Sequence, residues 1–255
     1  MPATAFGHFT QDIERARNLK AHADTFPAPA SVLADDIYRS SWMMAVGAMD
    51  AYFCDAFADV LAKILNAKNI DPSIKLTDKI KSIKLPINTL LQIHASKSNW
   101  KWRNAARDLI EKDNVLSLTK VKDLFNHIMD DTNKILDKAM MEHWLLRRGA
   151  KQRLAGITAT AYRRLSPADQ NTQKKAMLEK LTNRFSSIIQ RRHDCIHNCD
   201  RPKVTLLSIT AIDAQKTIED IEYLVAELNQ HIDSNLRRHL LSIGCSRTLV
   251  RRVGA

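Results

Sequence analysis

Glycine and proline are scarce, at 6 and 7 in 255 residues. Sheet proteins need many turns, and turns need these residues, so the scarcity favours long helices with few connections. No strand-like alternation of useful length, repeat or low-complexity tract is present. The four cysteines, Cys54, Cys195, Cys199 and Cys245, do not form the dense pattern of a small secreted scaffold. No run of about 18 apolar residues exists; the longest candidate, Trp42 to Leu65, is interrupted by Asp50, Asp55, Asp59 and Lys63. The opening MPATAFGHFTQDIERAR lacks an apolar core of signal-peptide length. A soluble, cytoplasmic protein with no membrane partner is expected. Aromatics are only 6%, which leaves few platforms for stacking on bases. Trp100 and Trp102 are candidates, with core packing the stronger reading.

What is present is apolar residues at 45%, enough for a substantial core, and a formal charge of +11. A basic surface is either simply well solvated or made for a polyanion, most naturally nucleic acid. Charge alone does not choose between RNA, DNA and an anionic membrane.

Helical periodicity predicts a first helix over 9–23 with Thr10 as its cap. After the Phe26–Ala30 breaker, a long helix over about 31–67 is expected, capped by Ser31. It is apolar nearly all round, so it should be central, and Cys54, Met43, Met44 and Met49 are assigned to the core. Residues 72–95 read as one helix broken before Pro86, and 100–112 and 117–141 as two more. The basic stretch 142–166, with Arg147, Arg148, Lys151, Arg153, Arg163 and Arg164, is expected to be a partly mobile insertion. Ser166-Pro167-Ala168-Asp169 marks a strong helix start, with the helix running to about 194–198. A loop over 199–203 and a helix over about 210–233, opened by a Thr210/Asp213 capping pair, follow. Residues 234–255 read as an Arg-rich tail. The fold class is all-α, in a single domain over 1–255.

The most informative stretch is Arg191-Arg192-His193-Asp194-Cys195-Ile196-His197-Asn198. Apolar residues recur every three to four positions before Gln190, and then the sequence turns almost wholly polar. The bland reading is a solvated helix end. The sharper one is phosphate chemistry, because two Arg, two His, an Asp and an Asn fall within eight residues. Cleaving an RNA phosphodiester needs a base for the 2′-hydroxyl proton and an acid for the leaving 5′-oxygen, and His can serve as either. Arg matches the negative charge of the phosphorane-like transition state with a rigid fork of donors. No metal or cofactor is required if the 2′-hydroxyl is the nucleophile, and the products are then a 2′,3′-cyclic phosphate and a 5′-hydroxyl.

Arg192-His193-Asp194-Cys195-Ile196-His197 resembles the signature of HEPN ribonucleases: Arg, a polar residue, three of any kind, His. The surrounding text RRHDCIHNCDRP, the later IDAQKTIEDIEYLVAELNQHID and the early YRSSWMMAVGAMDAYFCDAFADVL resemble the RiboL-PSP type of HEPN domain. The resemblance covers roughly 30–65 and 175–233. It implies an antiparallel helical bundle that dimerises, with two copies of the motif facing each other across one composite cleft. His197 would be the acid/base, Arg192 the ligand of the phosphate and transition state, and His193 the residue that orients them. Arg191, Asp194, Asn198 and Arg201 would bind phosphate or support the site. RNA would be the substrate and a second copy the partner. Relatives act in phage defence or toxin–antitoxin systems, so an antitoxin or defence partner is also implied. The alternative is a non-catalytic HEPN module that binds nucleic acid or nucleotide, or partners a toxin or antitoxin.

Helix geometry qualifies the motif. Residues five apart sit about 140° around the axis, so Arg192 and His197 share no face on a regular helix. Either the helix distorts or ends before His197, or a second protomer completes the pair. His193 and His197, four apart, do share a face. The bland readings remain a capping or surface His197 and a passive His193. Zinc on His193, His197, Cys195 and Cys199 is disfavoured, because Cys195 points away from both His and the four cannot converge.

Overall fold

Short polar side chains decide where most of the helices begin. The computed structural model describes residues 4–26, 32–84, 98–111, 117–130, 132–147, 152–201 and 205–254. Among these residues every regular element is a helix and none is a strand. They are α1 (Ala5–Ala23), α2 (Val32–Ile70), α3 (Asp78–Lys81), α4 (Ser98–Glu111), α5 (Leu118–Ile128) and α6 (Lys138–Leu146). Then come α7 (Gln152–Ala155), α8 (Ala159–Arg163), α9 (Pro167–Asn198), α10 (Ala211–Ser242) and α11 (Arg247–Arg252). Ser166 caps α9 by accepting the Asp169 N–H at 3.2 Å, with Pro167 in the first turn, as the sequence predicts. Thr210 and Asp213 cap α10 reciprocally: the Asp213 N–H donates to Thr210 Oγ1 at 3.1 Å and the Thr210 N–H to Asp213 Oδ2 at 3.1 Å.

Contacts divide the chain into two units, Met1–Ala51 with Leu136–Glu227, and Tyr52–Ile135 with Leu228–Ala255. In the first unit, α9 buries Met177, Leu181, Phe185 and Ile188, at spacings of four, four and three that keep one face inward. Against it the Trp42 indole N–H of α2 donates to the Ile188 carbonyl at 3.0 Å. Ser41 Oγ donates to the Ala16 carbonyl at 2.7 Å, fastening α2 to α1. In the second unit the nearly all-round burial of α2 continues through Tyr52, Phe53, Phe57, Leu61 and Ile64. There Arg107 donates to the buried carboxylate of Asp55 at 2.7 Å.

Several boundaries differ from expectation. The first helix starts at Ala5, capped by Thr4, and Thr10 lies inside it, its hydroxyl bonded to the Phe6 carbonyl at 2.9 Å. The segment after Asp71 is a turn rather than a helix, because the Asp71 carboxylate takes the Ser73 N–H at 3.0 Å. The expected helix over 117–141 is two, α5 and α6. Asp130 accepts the Thr132 N–H at 3.1 Å in a tight turn, and the Asn126 side chain holds Ile135 at both backbone groups, at 2.7 and 3.1 Å. The stretch 142–166 is no loose insertion in its described part. It buries Trp144, Leu145, Leu154, Ala155 and Tyr162, and two of its arginines are engaged, Arg147 with Glu227 at 2.6 Å and Arg153 with Asp220 at 2.7 Å, while Arg163 and Arg164 are exposed. Residues 234–254 are likewise no tail: α10 continues to Ser242 and α11 follows, burying Leu236, Leu240, Leu249 and Val250. Of the sulfur residues assigned to the core, Met49 is buried, whereas Met43, Met44 and Cys54 are only partly so. Trp102 is also only partly buried, with the Lys101 ammonium 6.0 Å from its ring centre. The expected Ser31 cap and Pro86 break, and Arg148, Lys151, Pro202 and Lys203, lie outside the described residues.

Candidate active site

The motif occupies the last two turns of α9. That helix runs unbroken through Arg192, His193 and His197 to Asn198, so it does not end before His197. It stops where Cys199 and Asp200 adopt left-handed backbone, at φ 48° and 58°. Both of their N–H groups donate to the Asp194 carbonyl, folding the chain back over the helix end.

Asp200 organises the turn. Its side chain is fully buried and accepts from Arg39 Nε at 2.8 Å and from Arg191 Nη2 at 2.9 Å. The same two arginines reach on to the returning strand of chain, Arg39 to the Leu207 carbonyl and Arg191 to the Ser208 carbonyl, each at 2.8 Å. The Leu207 N–H closes the loop on the Asp200 carbonyl at 2.9 Å. One carboxylate thus fixes α2, the end of α9 and the segment that leads into α10. The Arg191 guanidinium also lies over the Trp42 ring, 5.2 Å from its centre. Arg191 is therefore committed to supporting the turn, not open to a ligand. Asp194 supports too, being buried and accepting from the Gln190 amide at 3.0 Å. Burial first, and then the Asp200 carboxylate, push the Cys195 thiol up to about 11.

The opposite side of the helix is open. His193 and His197 are exposed, with ring centres 4.3 Å apart, as four-residue spacing requires. Arg192 is half-buried, close enough to Asp50 of α2 for its charge to act on that carboxyl. Burial raises the Asp50 pKa, Arg192 opposes the rise, and Asp50 Oδ1 is buried without a hydrogen-bond partner. By helix geometry Ile196 lies between Arg192 and the histidine pair, and it is 49% exposed. Asn198 and Arg201 are exposed at the helix end, joined by the Arg201 N–H to the Asn198 carbonyl at 2.9 Å. So the structure brings His193 to His197 and sets Arg192 beside them, while Arg191 and Asp194 turn inward. Among the described residues, no three His, Cys, Asp or Glu side chains gather to hold a metal ion.

Comparison with known families gives a match over most of the chain. The RiboL-PSP-HEPN family model matches residues 10–234. The chain is a member of the RiboL-PSP-HEPN family. HEPN domains are all-α and generally associated with ribonucleases, and they often bind RNA and dimerise. Among curated proteins and solved structures, none matches the chain. No helix among the described residues is long and apolar enough to cross a membrane.

Asp200, Arg39, Trp42 and Asp50, which surround the motif, were not singled out from the sequence. Two of them had a signal. Arg39 is the only Lys or Arg between Val32 and Ala62, and Asp50 is an isolated acid in an apolar stretch. A charge placed inside a helix that is buried nearly all round must have a partner.

Proposed function

We propose that this HEPN protein is a metal-independent endoribonuclease that works as a homodimer in the cytoplasm, as a defence or toxin-type effector. Both units are read as parts of one HEPN domain, because the family match spans residues of each. The observation that carries the reading is the exposed His193–His197 pair at 4.3 Å, on an intact helix with Arg192 beside it. His197 takes the 2′-hydroxyl proton as the 2′-oxygen attacks phosphorus. The phosphorus–O5′ bond breaks, and the partner's His197 returns a proton to the 5′-oxygen. A 2′,3′-cyclic phosphate and a 5′-hydroxyl result. Arg192 holds the phosphate as charge builds, His193 orients the pair, and Asn198 and Arg201 contact the backbone nearby.

Two features support a shared site. Arg192 and His197 lie about 140° apart on an unbroken helix. The motif also carries exposed Ile196, and the same unit exposes Leu206, Leu207, Ile212, Val32 and Leu33. Apolar exposure of this kind beside a charged motif suits a second copy of the chain.

Recombinant protein should cleave single-stranded RNA in excess EDTA, with the cyclic phosphate identified at the new 3′ end. His197→Ala should abolish cleavage while leaving the thermal melt unchanged. Loss of activity in EDTA, or full activity in His197→Ala, would sink the mechanism. Tight RNA binding with no cleavage by the wild type would mark a non-catalytic binding module instead.

A further inference from the structure

A second basic feature lies on the same unit, N-terminal to the motif along α9. A cavity of about 340 Å³ opens between α7, α9 and α10, with Trp42 and Leu154 as its apolar lining. Four cations line it, Arg153, Lys180, Arg184 and Lys216, against two acids, Asp213 and Asp220. The acids do not neutralise the set. Asp213 is used by the α10 cap, through Thr210. Asp220 is buried and clamps both arginines, accepting from Arg153 Nε at 2.7 Å and Arg184 Nε at 2.9 Å. A buried carboxylate bound to two Nε groups holds both guanidinium forks in fixed orientations. The Arg153 fork also reaches Glu219 at 3.0 Å, so its remaining free capacity is small.

The lysines differ. Lys180 and Lys216 have no ion pair among the described residues. Lys180 lies across Gly156, and a Cβ there would stand in ordinary contact, 3.4 Å from Nζ. Gly156 has φ 79°, so the turn after α7 favours glycine for its backbone. Two exposed lysines with no ion pair among the described residues, beside two pre-oriented arginines and over an apolar lining, match the chemistry of a nucleotide phosphate with its sugar and base.

The cavity is linked to the motif by shared parts. Trp42 lines it and also carries Arg191 over its ring at 5.2 Å. Arg184 precedes Arg192 by eight residues on one helix, about 12 Å along the axis but about 180° around it from His193, so a strand joining cavity and motif passes around the exposed side of α9, a path of several nucleotides. We infer that this cavity is a second phosphate subsite, which takes a backbone phosphate of the same single-stranded RNA that the motif engages. The inference rests on RNA being the ligand of the site above. It sets where a bound strand lies along α9 and makes a few nucleotides beyond the cleavage point part of recognition.

The test is Lys180→Glu/Lys216→Glu, made in full-length protein on a His197→Ala background. Both lysines are exposed, and the melt checks folding. Binding of a fluorescent 12-nucleotide RNA is read by anisotropy against salt. Two lost contacts should weaken binding roughly tenfold and flatten the log–log salt slope by about 1.4. Lys75→Glu/Arg247→Glu, with the same change of charge on the other unit, should alter the slope far less. AMP and inorganic phosphate serve as competing probes, and neither should reach the affinity of the RNA. Unchanged RNA binding by the lysine variant overturns the subsite. So does lysine-dependent binding of AMP with RNA binding intact, which would make the cavity a free-nucleotide site. Binding does not require cleavage. An inactive wild type whose RNA binding still depends on the lysines therefore counts against the ribonuclease reading and for the subsite.

Discussion

Asp200→Asn isolates the charge on which the motif's turn depends. Asparagine has the same shape and tolerates the left-handed backbone at φ 58°, so the substitution introduces little strain. It leaves Arg191, 16% exposed, without its anion, and Arg39, 7% exposed, with only the exposed carboxylate of Asp36 at 3.0 Å. Removing one member of a buried ion pair costs about 3–5 kcal/mol, because the remaining charge stays desolvated. Some water reaches Arg191, and Asn can still accept one hydrogen bond, so the lower part of that range is expected. For a chain of this size the loss corresponds to a fall in Tm of roughly 6–20 °C. Urea unfolding followed by circular dichroism gives the free energy directly. The exposed pair Arg15–Asp12, 3.1 Å apart, supplies the contrast: Arg15→Ala should cost less than about 1 kcal/mol. Adding Arg191→Met to Asp200→Asn should recover part of the loss, since it removes one stranded cation. A cost below about 1 kcal/mol for Asp200→Asn would refute the idea that this carboxylate staples α2, α9 and the return segment together.

Cys195 and Cys199 should react very differently with iodoacetamide at pH 8. Cys199 is exposed, whereas burial and Asp200 push the Cys195 thiol up to about 11. Mass spectrometry should find Cys199 alkylated long before Cys195, and equal rates would contradict the assigned environment. In the second unit, acid should destabilise through Asp130. Burial works to raise its pKa, but hydrogen bonds from Ser242, Thr132, Asn133 and His239 outweigh it and hold the carboxyl well below the usual range. A depressed carboxylate gives stability that is full above its unfolded value, about 3.9, and lost as pH falls toward the folded value. His239, buried with its pKa lowered chiefly by desolvation, adds a loss that begins as pH drops through about 6.5. Denaturant unfolding from pH 7 to pH 3 should show both, and Asp130→Asn should flatten the lower step; an unchanged slope in that variant would count against it. Ile196→Asp should raise the dimer dissociation constant roughly a hundredfold, about 2.7 kcal/mol, and reduce cleavage in parallel. Sedimentation at assay concentration measures the first, and a fully active monomer would refute the shared site.

Much of the fold was legible because local chemistry fixed it. Ser166-Pro167 and Thr210 with Asp213 specify helix starts within a few residues, and the structure begins α9 and α10 there. The motif was legible for the same reason: four-residue spacing on one helix places His193 against His197 whatever surrounds it. The misreadings share a cause. Between Ile128 and Ile135 the apolar period ran on across Asp130, Thr132 and Asn133, and only the turn formed by those side chains shows that the helix stops. The basic stretches at 142–166 and beyond 234 looked loose because composition records charge but not the partners and buried apolar side chains that fix a segment. Glu227, Asp220 and Asp130 lie far away in sequence. The roles within the motif were divided in the same way. The sequence by itself determined that Arg191, Arg192, His193 and His197 would stand together on one helix. Only the tertiary structure decided that Arg191 belongs to Asp200 and Trp42, that Arg192 faces Asp50, and that the two histidines stay open. A helix fixes the angle between neighbours, but which face is buried depends on segments that pack against it from elsewhere in the chain.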